Sequence, residues 1–194
     1  KITLPDNSVK QFELGTTPQQ VADSIGPGLA RAVVVAKVNG TLRDLNFPMV
    51  VDNSLELLTG DTPEGHDTLL HSGAHLMAQA VKELFPNTKV TIGPTIKNGF
   101  YYDFDSDISF SEEILSKIEH KMKELAKTGQ EIVRNEVTVD TAIGIFDNLG
   151  ETYKIDIVKQ INPEDVITIY NQTNFTDLCR GPHVSNTSKI KYFK

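Results

Sequence analysis

One cysteine, no tryptophan and an aromatic share of only 7% mark the 194-residue chain. The lone Cys179 excludes an internal disulfide framework and fits a cytoplasmic setting. No apolar run approaches the ~18–20 residues of a membrane span. The opening Lys1-Ile2-Thr3-Leu4-Pro5 reads as a strand and not as a secretion signal. Basic residues are also few: 19 Lys and Arg stand against 26 Asp and Glu, for a net charge of −7. That balance argues against a module that grips nucleic acid by bulk electrostatics, because phosphate contacts need Lys and Arg. There is no Gly-rich phosphate loop with a lysine, no Gly-x-Gly-x-x-Gly and no Gly-x-Ser-x-Gly elbow. Lys1 is not a start methionine, so the expectation is a segment of a longer protein.

What is present suits a folded chain of one or two domains, with 39% hydrophobic and 23% charged residues. Residues 1–60 read as a compact β-rich unit. Ile2-Thr3-Leu4 and Val9–Phe12 flank a turn at Asp6-Asn7-Ser8. Thr17-Pro18 with Gln20 is a helix start, and Gly26-Pro27-Gly28 is expected to end that helix. Ala32–Val38 is a β-branched strand, Asn39-Gly40 a hairpin turn, and strands follow at Thr41–Leu45 and Leu55–Leu58. The order β-β-α-β-β-β is a β-grasp arrangement.

Past a linker at 60–65, His66–Phe85 is helical. Leu70, Gly73, Ala74, Met77, Ala80, Val81 and Leu84 share one face, and His71 and His75 sit at its edge, where a helix can line a cleft. Strands are expected at Val90–Ile96 and Phe100–Phe104. A helix over Ser111–Lys127, with Ile114, Ile118, Met122 and Leu125 inward, stops at Gly129. Ile132–Val139 is a strand, Asp140 caps a short helix, and Val166–Tyr170 and Phe175–Cys179 close a hairpin around Asn171-Gln172. The second unit is therefore α+β, with an antiparallel sheet and a long helix carrying His-x-x-x-His.

Two pairs carry chemistry: His71 and His75 on the helix, and Cys179 and His183 where a strand runs into the turn Arg180-Gly181-Pro182. If the two elements meet, three imidazoles and a thiol surround one pocket. Such a set can hold zinc tetrahedrally or activate a water. His66 and His120 read as surface residues. Gly93-Pro94 and Asn98–Asp103 read either as a close backbone approach with aromatics to stack on a base, or as a half-buried aromatic hairpin.

In order along the chain, His71-Ser72-x-Ala74-His75, Ile92-Gly93-Pro94, Asn98-Gly99-Phe100-Tyr101-Tyr102-Asp103, Tyr153-Lys154 and Asp177-Leu178-Cys179-Arg180-Gly181-Pro182-His183 closely resemble the N-terminal region of bacterial threonyl-tRNA synthetases. Residues 1–61, with Val38-Asn39-Gly40 and Asp44-Leu45, resemble the TGS domain that precedes the editing domain, here 62–194. The resemblance implies hydrolytic editing of tRNA(Thr) wrongly charged with serine, with the class II catalytic domain, its ATP and its zinc lying outside this sequence. It implies His71, His75, Lys154, Cys179 and His183 as catalytic residues and Tyr102, Asp177, Gly93, Pro94 and Arg180 as substrate-binding. His71 and Lys154 are assigned to the water, Asp177 to the serine amino group or hydroxyl, and Tyr102 to the sugar or base. Gly73 is expected to leave room for substrate. No cofactor is expected for editing; zinc at His71, His75, Cys179 and His183 is the second option. Expected partners are the charged acceptor end and the enzyme's remaining domains, in a full-length dimer and away from membranes. Two rival readings are a free-standing zinc-dependent ester hydrolase and a non-enzymatic RNA-binding module.

Overall fold

The computed structural model describes residues 1–194 as two compact units, Lys1–Leu69 with Gly181–Ser185, and Leu70–Arg180 with Asn186–Lys194. The first unit contains β1 (Ile2–Thr3), β2 (Val9–Lys10), α1 (Pro18–Ile25), α2 (Pro27–Ala32), β3 (Val33–Val38), β4 (Thr41–Arg43) and β5 (Asn53–Thr59). Its sheet runs β2-β1-β5-β3-β4; β1 pairs with β5 in parallel and the other pairs are antiparallel. This is the expected β-grasp sheet. Thr17 and Gln20 form a reciprocal cap: the Thr17 hydroxyl accepts from the Gln20 amide, and the Gln20 side chain accepts from the Thr17 amide at 2.9 Å. Val21 and Ala22 of α1 then pack on Ile2, Val33, Ala36, Val38, Leu45 and Leu55. Each large side chain so enclosed stabilises the unit by roughly 1.5–3 kcal/mol.

The expected stop at 26–28 is half right. Gly26 ends α1, but Pro27 opens a second short helix, because proline at the first helical position has no amide to lose and a φ already suited to the turn. Ala32 closes that helix, and the strand begins at Val33.

Helix α3 (Pro63–Leu84) leads into the second unit, followed by the short strands β6 (Lys89–Val90), β7 (Thr95–Ile96), β8 (Gly99–Phe100) and β9 (Phe104–Asp105). These form one interrupted hairpin, β7–β8 nested inside β6–β9. Next come α4 (Glu112–Thr128), β10 (Ile132–Val137), α5 (Val139–Asn148), α6 (Thr152–Val158), β11 (Ile167–Gln172) and β12 (Phe175–Leu178). The last sheet is antiparallel in the order β10-β11-β12. Its cover is α5 and α6, which bury Ala142, Phe146, Ile155 and Val158 against Ile167 and Ile169. α4 is capped by Ser111 and released at Gly129, whose φ of 65° is the left-handed cap conformation.

Four expectations change here. α3 is enclosed all round from Ser72 to Val81 except at Met77, so it is not one-faced, while His71 and His75 do line a cavity as expected. Its polar side is buried because it is paired: Gln79 donates to Gln130 at 2.9 Å and receives from Gln172 at 3.3 Å. The cap of α5 is Thr138, which accepts from the Thr141 amide; Asp140 lies in the first turn. The closing hairpin turns at Thr173-Asn174, Thr173 taking φ 52°, while Asn171 and Gln172 stay in the strand. α6 was not expected at all. No helix is long and apolar enough to cross a membrane.

Candidate active site

The second unit holds a cavity of about 860 Å³ whose lining includes His71, His75, Gly93, Tyr102, Lys154, Asp177 and Cys179. α3 supplies the two histidines, the hairpin Gly93, Pro94 and Tyr102, α6 Lys154, and β12 with its following turn Asp177, Cys179 and Arg180. Strand alternation explains β12: Phe175 and Asp177 point inward, Thr176 and Leu178 less so.

At the centre is a buried ionic knot. Lys154 Nζ lies 2.5 Å from Asp177 Oδ1, with 3% and 1% of the two side chains exposed. The Tyr102 hydroxyl donates to Asp177 Oδ2 at 2.6 Å and accepts from Lys154 Nζ at 3.2 Å. The Leu178 amide adds a bond to Oδ1 at 2.8 Å. His75 Nε2 stands 3.6 Å from Oδ2. Burial alone would raise the Asp177 pKa and is the largest single influence. The charges of Lys154 and His75, with the bonds from Lys154 and Tyr102, outweigh it and hold the carboxyl below its usual value. Burial first, then the Asp177 charge, push the Tyr102 phenol well up, so it stays a donor. Burial pulls His75 down to about 4 against the opposing pull of Asp177, leaving a neutral imidazole near neutral pH.

His71 is less buried. Its Nε2 lies 3.2 Å from Cys179 Sγ, and its ring meets that of His75 edge-on at 5.3 Å between centroids. The ligand atoms of His71, His75 and Cys179 all fall within 4.8 Å of one another. Two imidazoles and a thiol at that spacing fit the donor set of zinc, so these residues could hold a metal ion.

Of the expected residues, the second unit thus gathers His71, His75, Lys154, Cys179, Tyr102, Asp177, Gly93, Pro94 and Arg180 around one cavity. His183 lies on the 181–185 segment, which groups with the first unit; it is 1% exposed and its amide donates to Asp44 Oδ1 at 2.9 Å. His66 and His120 are exposed. Gly73 has a different reason from the one expected: a Cβ there would lie 2.7 Å from the Phe100 ring, so the glycine admits a protein side chain and not substrate. Gly93 likewise admits the face of Tyr102, which a Cβ would approach to 2.2 Å.

Sequence reasoning missed the rest of the lining, which includes Ile157, Gln160, Ile161, Asp165 and Thr168. It also missed Glu151, a buried carboxylate that accepts the Val90 amide at 3.0 Å and pairs with Lys82 Nζ at 2.6 Å. Its own carbonyl accepts the Lys154 amide and starts α6, so the ion pair pins Lys154's helix to the end of α3.

Residues 1–61 match the TGS domain family, and residues 167–194 match the threonyl and alanyl tRNA synthetase second additional domain. The threonine–tRNA ligase of Geobacillus sp. (strain WCH70) is 46% identical over 194 residues, and that of Burkholderia multivorans 50% over 193. A third, from Citrifermentans bemidjiense, is 48% identical over 193. Each match takes in 100% of this chain and 30% of the relative, so the chain spans about a third of the length of these ligases. By these matches the chain carries a TGS domain followed by a threonyl and alanyl tRNA synthetase second additional domain, and over its whole length it is similar to a stretch of about a third of these bacterial threonine–tRNA ligases' own length.

Proposed function

We propose that the cavity of the second unit hydrolyses the ester of serine wrongly joined to tRNA(Thr), with residues 1–61 as the TGS domain and 62–194 as the editing domain, in a cytoplasmic ligase. The observation that supports this most is the ionic knot of Lys154, Asp177 and Tyr102 set beside two imidazoles and a thiol in one cavity. Serine differs from threonine by one methyl group, and a pocket gains only ~1–3 kcal/mol from such a group, so a second, excluding site is chemically useful.

Asp177 can accept about four hydrogen bonds. Lys154 and the Leu178 amide take Oδ1, and Tyr102 takes one side of Oδ2. One acceptor position on Oδ2 remains for the serine ammonium or hydroxyl. Lys154, as the cation of this pair, acts as a donor and not as the base. That leaves His71, partly open and beside Cys179, to take the proton of the attacking water, with neutral His75 holding the water or the ester oxygen. His183, four residues after Cys179 in sequence, is kept as a further candidate. The acceptor end of the charged tRNA is the ligand, and Gly93, Pro94 and Arg180, which line the cavity, are its further contacts.

A zinc version is a second reading, supported by the spacing of His71, His75 and Cys179. A bound zinc would supply an acidified water.

The test is deacylation of seryl-tRNA(Thr) and threonyl-tRNA(Thr), with and without chelator, by the wild type and by His71→Ala. Faster release of serine, resistant to chelator and lost in the variant, is the expected result. Loss with chelator selects the zinc version. Absence of serine release by this chain and by a full-length ligase carrying it would reject ester hydrolysis altogether.

A further inference from the structure

Thr168 lines the cavity, yet hydrolysis as proposed gives it no part. It sits on β11, the central strand of its sheet, opposite Glu136 of β10 and between the core residues Ile167 and Ile169. A β-branched side chain on such a strand has little rotamer freedom. On the other side, the last rung of the β11–β12 pairing joins Ile169 to Leu178. Cys179 therefore lies one residue beyond the end of β12, a four-residue strand at the sheet edge, where a sheet opens most easily. Two bonds carry the pairing past that end. The Cys179 amide donates to the Thr168 carbonyl at 3.2 Å, and the Thr168 hydroxyl donates to the Cys179 carbonyl. The thiol so placed is the one whose Sγ stands 3.2 Å from His71 Nε2.

We infer that Thr168 is a positioning residue for the thiol–imidazole pair: its hydroxyl clamps the backbone of Cys179 to the centre of the sheet and so sets where Sγ stands against His71. The inference rests on the ester-hydrolysis reading for its catalytic consequence, but not for the clamp itself. The amide bond between the two residues is at the long end of the usual range, so without the hydroxyl the strand end is held less firmly. His71 does not follow a shift of that end, because it is carried by α3, which is enclosed from Ser72 to Val81 except at Met77. A misplacement of about 1 Å can cost on the order of a hundredfold in rate. A hydroxyl that touches neither His71 nor the thiol thereby controls the distance between them.

The variants are Thr168→Val and Thr168→Ser in this chain. Valine keeps the shape and the β-branch but has no hydroxyl; serine keeps the hydroxyl. Cys179 is the sole cysteine, so alkylation by iodoacetamide, read by mass spectrometry, reports on that thiol alone. In Thr168→Val, the alkylation rate changes by about threefold or more, and hydrogen exchange at the Cys179 amide rises by roughly three- to tenfold, from the loss of one hydrogen bond beside it. The methyl resonances of Ile167 and Ile169 stay in place and report an intact sheet. Serine release from seryl-tRNA(Thr) falls in kcat by about tenfold with KM little changed, and Thr168→Ser recovers most of it. If alkylation and amide exchange are unmoved in Thr168→Val while the wild type releases serine, the clamp is wrong and ester hydrolysis stands. Equal changes in both variants overturn the inference, because the hydroxyl would then not be what matters. A displaced thiol with an unchanged kcat also overturns the positioning role. If the wild type releases no serine but the thiol and amide respond, ester hydrolysis and Thr168's catalytic consequence fall together, and the clamp survives.

Discussion

Replacing Tyr102 with phenylalanine isolates the hydroxyl at the heart of the cavity. The ring would stay, packed on Gly93 and stacked on Phe104 at 5.1 Å between centroids, so no cavity opens. What is lost is the donor to Asp177 Oδ2 at 2.6 Å and the acceptor for Lys154 Nζ at 3.2 Å. A hydrogen bond to a charged group contributes about 1.5–3 kcal/mol, and a buried charge short of a partner costs more than an exposed one. Asp177 retains Lys154 and the Leu178 amide, so the two losses do not add in full. The expected destabilisation is about 2–3 kcal/mol, a fall in Tm of roughly 4–12 °C for a chain of this size. Urea unfolding followed by far-ultraviolet circular dichroism measures it, with an unchanged denaturant slope. A double-mutant cycle with Asp177→Asn then separates the pair from the singles, since neighbours in one network are not additive. A change below about 0.5 kcal/mol in Tyr102→Phe, or no coupling in the cycle, would refute the claim that this hydroxyl holds the knot together.

The remaining predictions concern protons, glycines and the buried pin. His75 is held at about 4 in the fold but takes a proton near 6.5 when unfolded, so the unfolded state binds more protons between those values. Stability should therefore fall as pH drops from about 6.5 towards 4, by roughly 3 kcal/mol, and a His75→Gln variant should show a flatter urea midpoint over that range. Asp177, whose pKa is lowered, adds a further loss only at lower pH, as the carboxyl protonates. Gly93→Ala would force the Tyr102 ring off Asp177 and cost about 1–3 kcal/mol. Gly73→Ala meets only the edge of Phe100 and gains about 1 kcal/mol of helix propensity, so calorimetry should rank it the milder of the two. Glu151→Gln leaves Lys82 short of its counter-charge and should destabilise by about 3–5 kcal/mol; a Tm within 2 °C of wild type, on the order of 0.5–1 kcal/mol, would count against the pin.

Local signals carried far in this chain. The cap at Thr17, the turn at Asn39-Gly40 and the stripe of α4 all depend on neighbours within four residues, which is why they are readable. α2 and α6 are not, for definite reasons. Pro27 reads as a stop when it is preceded by glycine, yet the same ring opens a helix. α6 begins at Glu151, whose side chain caps nothing because it is spent on Val90 and Lys82, partners some sixty positions back in the sequence. The site divides in the same way. Its histidines and thiol are legible as residue types at a spacing. The use of Asp177 to bind Lys154 and Tyr102 is not, since those residues lie 23 and 75 positions away. Gly73 was misjudged because the ring that fills its space, Phe100, comes from another element.

The parallel pairing of β1 with β5 has a consequence for how the chain is made. On the edge away from β2, Ile2 and Thr3 register with Asn53 and Ser54, so β1 must wait for β5, the last strand of its unit. The β3–β4 hairpin, turned at Asn39-Gly40, and the pairing of β3 with β5 close without it. During synthesis the β1–β2 hairpin is therefore an unclaimed sheet edge, open to a chaperone or to another nascent chain until Asn53 emerges.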